Sequence, residues 1–312
     1  TRSSVESRGL GDVYKRQEQT EHWLPRLAVG EPLCAVAVTE PNYGSDVAGV
    51  RLKATPTENG WLLNGAKTWC TFGGKAGVLM VQARTNPDMA AGHRGLSMFL
   101  VEKPSSDGHE FEVTPESGGK LTGRAIATMG YRGMHSYELF FDDFFVPASH
   151  MIGGPEGEGQ GFYLAMAGFA GGRIQTAARA VGLMRAAFER SISYSKERVV
   201  FNHPIGDYQL TRVKLARMAA HLLACRQITY EVSDLMDKGS GDMEASGAKL
   251  FASKTAEWFT REALQIHGGM GYAEETPTSR YFADARVLSI FEGAEETLAL
   301  KVITRSLVEN AA

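Results

Sequence analysis

The chain has 312 residues, 43% of them hydrophobic and 22% charged, with a formal net charge of -3. That balance excludes a disordered chain and sets the protein against a basic nucleic-acid binder, and no apolar run reaches the ~18 residues of a membrane span. Cys34, Cys70 and Cys225 form no CxxC pair and the eight histidines show no metal-ligand spacing, so no disulfide framework, no bound metal and a reducing compartment are expected.

Residues 1–17 (TRSSVESRGLGDVYKRQ) show neither helical nor strand period and lack the apolar centre of a secretory signal. They are expected to be non-native or disordered, and because the first residue is Thr1, something upstream is expected to be missing. A short helical stretch through Trp23 and Leu27 fills 18–32. Over 33–152 the period is close to two: CAVAVT, WLLNGAKTWCTF, VLMVQAR, LSMFLVEK, FEV and YELFFDDFFVP, with turn chemistry such as NYGSD, TENG and KPSSDG between them. Strands this short and this frequent predict an antiparallel β-barrel or sandwich.

Over 153–312 the period changes to 3.6. After Gly161 a first helix gathers Phe162, Ala165, Met166, Phe169, Ile174, Ala177, Val181, Met184 and Phe188. A second, from about Asp207 to Lys238, places Leu210, Val213, Ala216, Ala220 and Leu223 on one face. A third, from about Met243 to His267, gathers Ala248, Phe251, Thr255, Phe259 and Ile266, and a fourth begins near Glu295. Short joins between such helices predict a four-helix bundle, and the whole chain reads as an α+β protein of several domains.

Five segments carry candidate chemistry. The glycine-rich GGPEGEGQG (153–161) lacks GxGxxG spacing, so it reads as an interdomain linker. In TEPNYGSD (39–46), Gly44 frees the backbone while Thr39 and Ser45 can hydrogen-bond a planar polar ligand; a plain polar turn fits the same residues. Trp69 and Thr71 alternate with Cys70 and share a strand face, which suits a flat heteroaromatic ligand or a half-buried barrel wall. HGGMGY (267–272) ends a helix, with His267 read as a cap or core histidine. Glu292 leaves the apolar run VLSIF at a turn before Gly293, where partial desolvation would raise its pKa toward that of a general base; a first-turn helix carboxylate is the plainer reading, and Glu295 and Glu296 fit that better.

Taken together, AVTEPNYGSD, TWCTFGGKA, MGYRGMHSYELFFDDFFVP, RVVFNHPIGDYQ, LQIHGGMGY and SIFEG resemble, in this order, the acyl-CoA dehydrogenase family over about Glu18–Leu307. The resemblance implies an FAD enzyme in which Thr39, Ser45, Trp69 and Thr71 contact the flavin. It implies that Arg198, Phe201 and Gln209 reach the FAD of a neighbouring subunit, and that Gln265, Gly268 and Gly269 approach its adenosine diphosphate part. Glu292 matches the base that removes the α-proton of an acyl-CoA substrate, with Ser45, Arg173 and Gly293 beside the substrate. Some family members carry that carboxylate on the first bundle helix, where this chain has Gly172 next to Arg173. The family's N-terminal helical domain is expected to be largely missing, with 18–32 as its remnant.

The implied reaction converts a short- or branched-chain acyl-CoA to the trans-2-enoyl-CoA. Within the family GGRIQTAARAVG, IGDYQLTRVKLARMAA and SIFEGAEETLALKVITRSL most resemble members acting on (2S)-methylsuccinyl-CoA. The implied partners are electron-transferring flavoprotein and further copies of the chain, as a homodimer or homotetramer, with no nucleic acid and no membrane. The expected location is the bacterial cytoplasm, or the mitochondrial matrix in a eukaryote. An oxidase using O2 and a non-catalytic or inactive flavin-binding fragment are the alternatives.

Overall fold

The computed structural model describes residues 17–308. The expected non-native stretch 1–17 therefore lies outside the described residues, apart from Gln17, which opens helix α1 (Gln17–Ala28). That helix is seated by Trp23, 6% exposed, which packs with Val78 and Leu100. Gln19 adds polar ties, donating from Nε2 to the carbonyls of Ser149 and Met151 at 2.7 and 2.8 Å.

Eight strands follow: β1 (Cys34–Ala37), β2 (Lys53–Pro56), β3 (Gly60–Thr71), β4 (Val78–Arg84), β5 (Leu96–Glu102), β6 (Glu110–Val113), β7 (Lys120–Ala125) and β8 (Ser136–Pro147). They form one eight-stranded sheet in the order β1-β4-β2-β3-β8-β7-β6, with β5 also paired to β4. Most pairs are antiparallel, but β1 runs parallel to β4, Cys34 lying opposite Val78. β2 also runs parallel to β4, with Lys53 opposite Arg84, while β3 runs antiparallel to β2, so the connection after β3 is what turns the chain back to the direction of β1. Leu79, Val81, Phe99, Val101, Leu121 and Leu139 form the core of the sheet. β4 and β5 are buried almost along their length, on both faces, so the alternation expected over 33–152 does not extend to them.

The chain divides into two compact units, the first ending at Gly168 and the second starting at Phe169. The sequence reading puts the change at 152/153, where the strand pattern stops; the units divide later, within helix α2 (Gly161–Glu197). After α2 come a hairpin of β9 (Val199–Val200) and β10 (His203–Pro204), then α3 (Gln209–Asp237), α4 (Asp242–His267), α5 (Gly269–Tyr272) and α6 (Pro277–Val287). The last stretch starts as α7 (Glu295–Thr297), passes through a π-helical turn over Leu298–Thr304 and ends as α8 (Arg305–Val308).

The three long helices stand where the periodicity puts them, whereas α6 has no counterpart in the sequence reading. On α4, Ala248, Thr255, Phe259 and Ile266 are buried as read, while Phe251 is 41% exposed. On α3 the apolar face read from the sequence points outward: Leu210 and Leu223 are 79% and 58% exposed, and the buried residues are Met218, Cys225, Thr229 and Val232. An apolar stripe at helical spacing reports a surface that leaves water, and on α3 two such stripes compete. Among the described residues no helix is long and apolar enough to cross a membrane, and no trio of His, Cys, Asp or Glu could hold a metal. All three cysteines are free thiols.

Candidate active site

In the first unit the TEPNYGSD turn is fastened to β3. Glu40 and Tyr43 exchange backbone hydrogen bonds at 3.1 and 3.0 Å, closing the turn. The Glu40 carboxylate, buried at 6% exposure, accepts from the Arg51 and Leu52 amides at 2.7 Å each and from Lys67 Nζ at 2.9 Å. Lys67 also donates to the Val38 carbonyl at 2.8 Å, and burial pulls its ammonium down to about 8 although Glu40 opposes that shift. The Thr68 amide donates to the Thr39 carbonyl at 2.9 Å, so the turn is held directly beside Trp69.

Between Lys67 and Cys70 the β3–β8 register slips, and Trp69 takes a left-handed φ of 58°. A bulge of this kind re-aims a side chain: Trp69 stands 55% exposed while Thr68 and Cys70 on either side are buried. Thr71 is half-buried, its hydroxyl 3.1 Å from that of Ser136. Ser45 lies exposed on the turn, and a Cβ added to Gly44 would meet nothing within 4 Å, so no protein atom imposes glycine at that position.

In the second unit the remaining predicted residues fall into two groups. Arg198, Phe201 and Gln209 follow the end of α2. Phe201 and Asn202 have φ of 50° and 65°, the pattern of a two-residue type I′ hairpin between β9 and β10, and Phe201 at its tip is 86% exposed. Gln265, Gly268 and Gly269 mark the end of α4, where Gly268 has φ 58° and no atom within 4 Å of an added Cβ. His267 is a core histidine as read: its Nδ1 lies 2.7 Å from the Ala263 carbonyl and its ring stacks on Tyr194 at 4.5 Å. Tyr194 and His267 both line a cavity of about 730 Å³ that also takes in Arg190 and Thr278 and does not include Glu292.

Glu292, Gly293 and Arg173 come together elsewhere in this unit. Glu292 has a left-handed φ of 54° and Gly293 follows at 97°. A left-handed glutamate costs ~1–2 kcal/mol, and a side chain at Gly293 would drive into Leu298, 2.7 Å from an added Cβ. The Glu292 carboxylate lies over Gly172: a Cβ there would stand 2.4 Å from Oε2 and 2.8 Å from Cδ. Bare backbone at 172 is thus what leaves the carboxylate its place. Burial holds the Glu292 carboxyl above the ordinary glutamate range, against the opposing pull of Arg173, Arg179 and Lys249. Arg173 reaches Ser246 Oγ at 3.3 Å through Nη1, and its buried Nε has no partner.

Sequence reasoning missed Lys249. It is fully buried, donates from Nζ to the Gly293 carbonyl at 2.7 Å, and is pulled down to about 8 by burial. A signal was present: Ala245, Ala248 and Ala252, at four, one and three residues' distance along α4, are all buried, so the lysine stands on an apolar stripe.

A mixed sheet followed by long helices, with a glutamate held out of water at a left-handed turn, defines a two-part α+β protein. Residues 35–144 match the middle domain of acyl-CoA dehydrogenases and residues 159–308 match their C-terminal domain. The chain is 43% identical over 293 residues to (2S)-methylsuccinyl-CoA dehydrogenase of Cereibacter sphaeroides, covering 93% of this chain and 52% of that protein. It is 38% identical over 296 residues to an acyl-CoA dehydrogenase of Bacillus subtilis (strain 168), covering 95% and 73%. Butyryl-CoA dehydrogenase from Megasphaera elsdenii superposes with a TM-score of 0.84 at 35% identity, covering 94% and 72%. The chain belongs to the acyl-CoA dehydrogenase family. It spans about half the length of the methylsuccinyl-CoA enzyme it matches.

Proposed function

We propose that this protein dehydrogenates a short- or branched-chain acyl-CoA to the trans-2-enoyl-CoA with FAD, and that Glu292 is the base. The carrying observation is the Glu292 carboxylate itself, half-buried, seated on the bare backbone of Gly172 and raised in pKa by that burial. A thioester α-proton is too weakly acidic for an ordinary carboxylate in water. A desolvated glutamate is a stronger base, and donors at the thioester oxygen stabilise the developing enolate charge. Glu292 takes the α-proton, the C–H electron pair moves toward the thioester carbonyl, and the Glu292–Gly293 backbone is the chain's donor to that oxygen.

The residues present fit FAD. Trp69 offers an exposed aromatic face, Thr39, Ser45 and Thr71 carry hydroxyls on the adjoining turn and strand, and the open Gly268–Gly269 backbone with Gln265 suits a diphosphate and adenosine. When bound, FAD supplies the acceptor for the substrate's β-hydride. Arg198, Phe201 and Gln209 serve the FAD of a neighbouring copy, and the exposure of Phe201 together with the outward apolar face of α3 favours a homodimer or homotetramer. Likeness to the Cereibacter enzyme favours (2S)-methylsuccinyl-CoA as substrate and mesaconyl-CoA as product. Electron-transferring flavoprotein is the acceptor the family resemblance implies, and the free thiols accord with a reducing compartment, the cytoplasm in a bacterium.

The test is the visible spectrum of the FAD-loaded protein during anaerobic titration with methylsuccinyl-CoA and then butyryl-CoA. Bleaching by a thioester is expected, and Glu292→Gln should keep the flavin and lose the bleaching. Wild-type bleaching rates in that variant would overturn the assignment of the base; oxygen uptake during turnover would mark an oxidase.

A further inference from the structure

We infer that Lys249 is a positioning residue for the Glu292 base: its buried ammonium grips the Gly293 carbonyl and so holds the left-handed turn that seats the carboxylate on Gly172. The inference rests on the reading of Glu292 as the base.

Two consecutive residues with positive φ, the first of them a glutamate, do not stay in that conformation without outside restraint. The restraint comes from one face of α4. Lys249, Ser253 and Glu257 stand four residues apart, one above the other on the helix. Lys249 Nζ donates to the Gly293 carbonyl at 2.7 Å and Ser253 Oγ to the Leu288 carbonyl at 3.0 Å. Glu257 accepts from Arg286 Nη1 at 3.1 Å and from the Ser289 hydroxyl. The segment from 286 to 293 is therefore pinned at four residues by three side chains of one helix, and Lys249 holds the end next to the base.

A neutral donor would make the same hydrogen bond, so the choice of a lysine needs its own reason. Lys249 is fully buried, where an ammonium costs free energy unless anions repay it. Glu295, Glu292 and Glu296 do so, while Arg173 opposes. Seen from Glu292, the facing groups are Arg173 and Arg179 of α2 and Lys249 of α4, all cationic. Lys249 thus adds a second effect to the clamp: its charge opposes the upward shift that burial gives the Glu292 carboxyl.

The test uses the full chain with glutamates carrying 13C at the carboxyl carbon, Glu292 being assigned by its absence in Glu292→Gln. Glu292 is titrated in wild type, Lys249→Met and Lys249→Arg, with thermal midpoints taken alongside to show that each is folded. In Lys249→Met the Glu292 midpoint should rise by about one pH unit. The kcat of the FAD-loaded enzyme should fall about tenfold with KM moved much less. Lys249→Arg should return the midpoint toward wild type. A Glu292 midpoint within ~0.2 pH units of wild type in folded Lys249→Met would overturn the inference. If Lys249→Met does not fold, Lys249→Gln is judged by the same two measurements. The titration needs neither FAD nor substrate. Turnover retained by Glu292→Gln would therefore strike the reading of the base and leave the effect of Lys249 on the carboxylate separately decided.

Discussion

Adding one carbon at Gly172 should disable the proposed base without unfolding the protein. In Gly172→Ala the new methyl would stand 2.4 Å from Glu292 Oε2, and an ordinary contact needs at least 3.4 Å, so the carboxylate must retreat by about 1 Å. A misplacement of that size costs on the order of 100-fold in rate, or about 2.7 kcal/mol in the barrier. Helix stability moves the other way, because alanine is favoured over glycine inside a helix by about 1 kcal/mol and residue 172 lies within α2. Gly171 supplies the control: a Cβ there meets nothing within 4 Å, so Gly171→Ala should gain the helix term and keep full activity. The assay is anaerobic stopped-flow reduction of the flavin by a saturating acyl-CoA, with thermal denaturation of each variant. Wild-type reduction rates in Gly172→Ala, with the fold intact, would refute the placement of the carboxylate over residue 172.

Ionising a carboxyl whose pKa is raised by burial costs folding free energy, a cost that is present above the folded pKa and vanishes below the ordinary glutamate range. Glu292→Gln should therefore melt higher than wild type at pH 8, with the gap closing as the pH drops below about 4.5, which a series of thermal melts would check. For the same reason the acidic limb of the kcat profile should fall at a higher pH than an exposed glutamate would give. Glu40→Ala would strand the buried Lys67 ammonium and should cost roughly 3–5 kcal/mol in urea unfolding; a loss under ~1 kcal/mol would show that the pair does not hold the turn. Phe201→Gly relieves a left-handed aromatic and should leave the isolated subunit as stable or up to ~1–2 kcal/mol more so. Flavin retention after gel filtration should fall in the same variant, and full retention would remove Phe201 from the cofactor site.

The parts of the fold that follow from local pattern were legible: α2, α3 and α4 stand where the 3.6 period puts them, and six of the eight sheet strands stand where short apolar runs were read, β2 and β7 being the two without one. What pattern alone could not supply was direction and partner. CAVA and VLMVQAR read as strands, yet nothing in them says that they run parallel, since that depends on how the chain between them turns. Leu210, Val213 and Leu223 share a helical stripe as surely as Met218, Cys225 and Val232 do, and the sequence does not say which stripe meets the rest of the unit. At the site, Glu292 was legible because it ends an apolar run before a glycine. The value of Gly172 was visible only as a missing carboxylate, whereas the structure makes it a steric requirement. Lys249 escaped because charge is read first as solvent-facing, and only its alanine neighbours mark the stripe as buried.

The grip of α4 on the turn has a consequence for how such a site can diversify. Lys249 and Ser253 hold carbonyl oxygens, which every residue possesses, so these two ties do not depend on the side chains of the residues they hold. Ile290, 54% exposed, and Ala294 are accordingly unburdened by the architecture that aims the carboxylate. A lineage can exchange them while the backbone that carries Glu292 keeps its course.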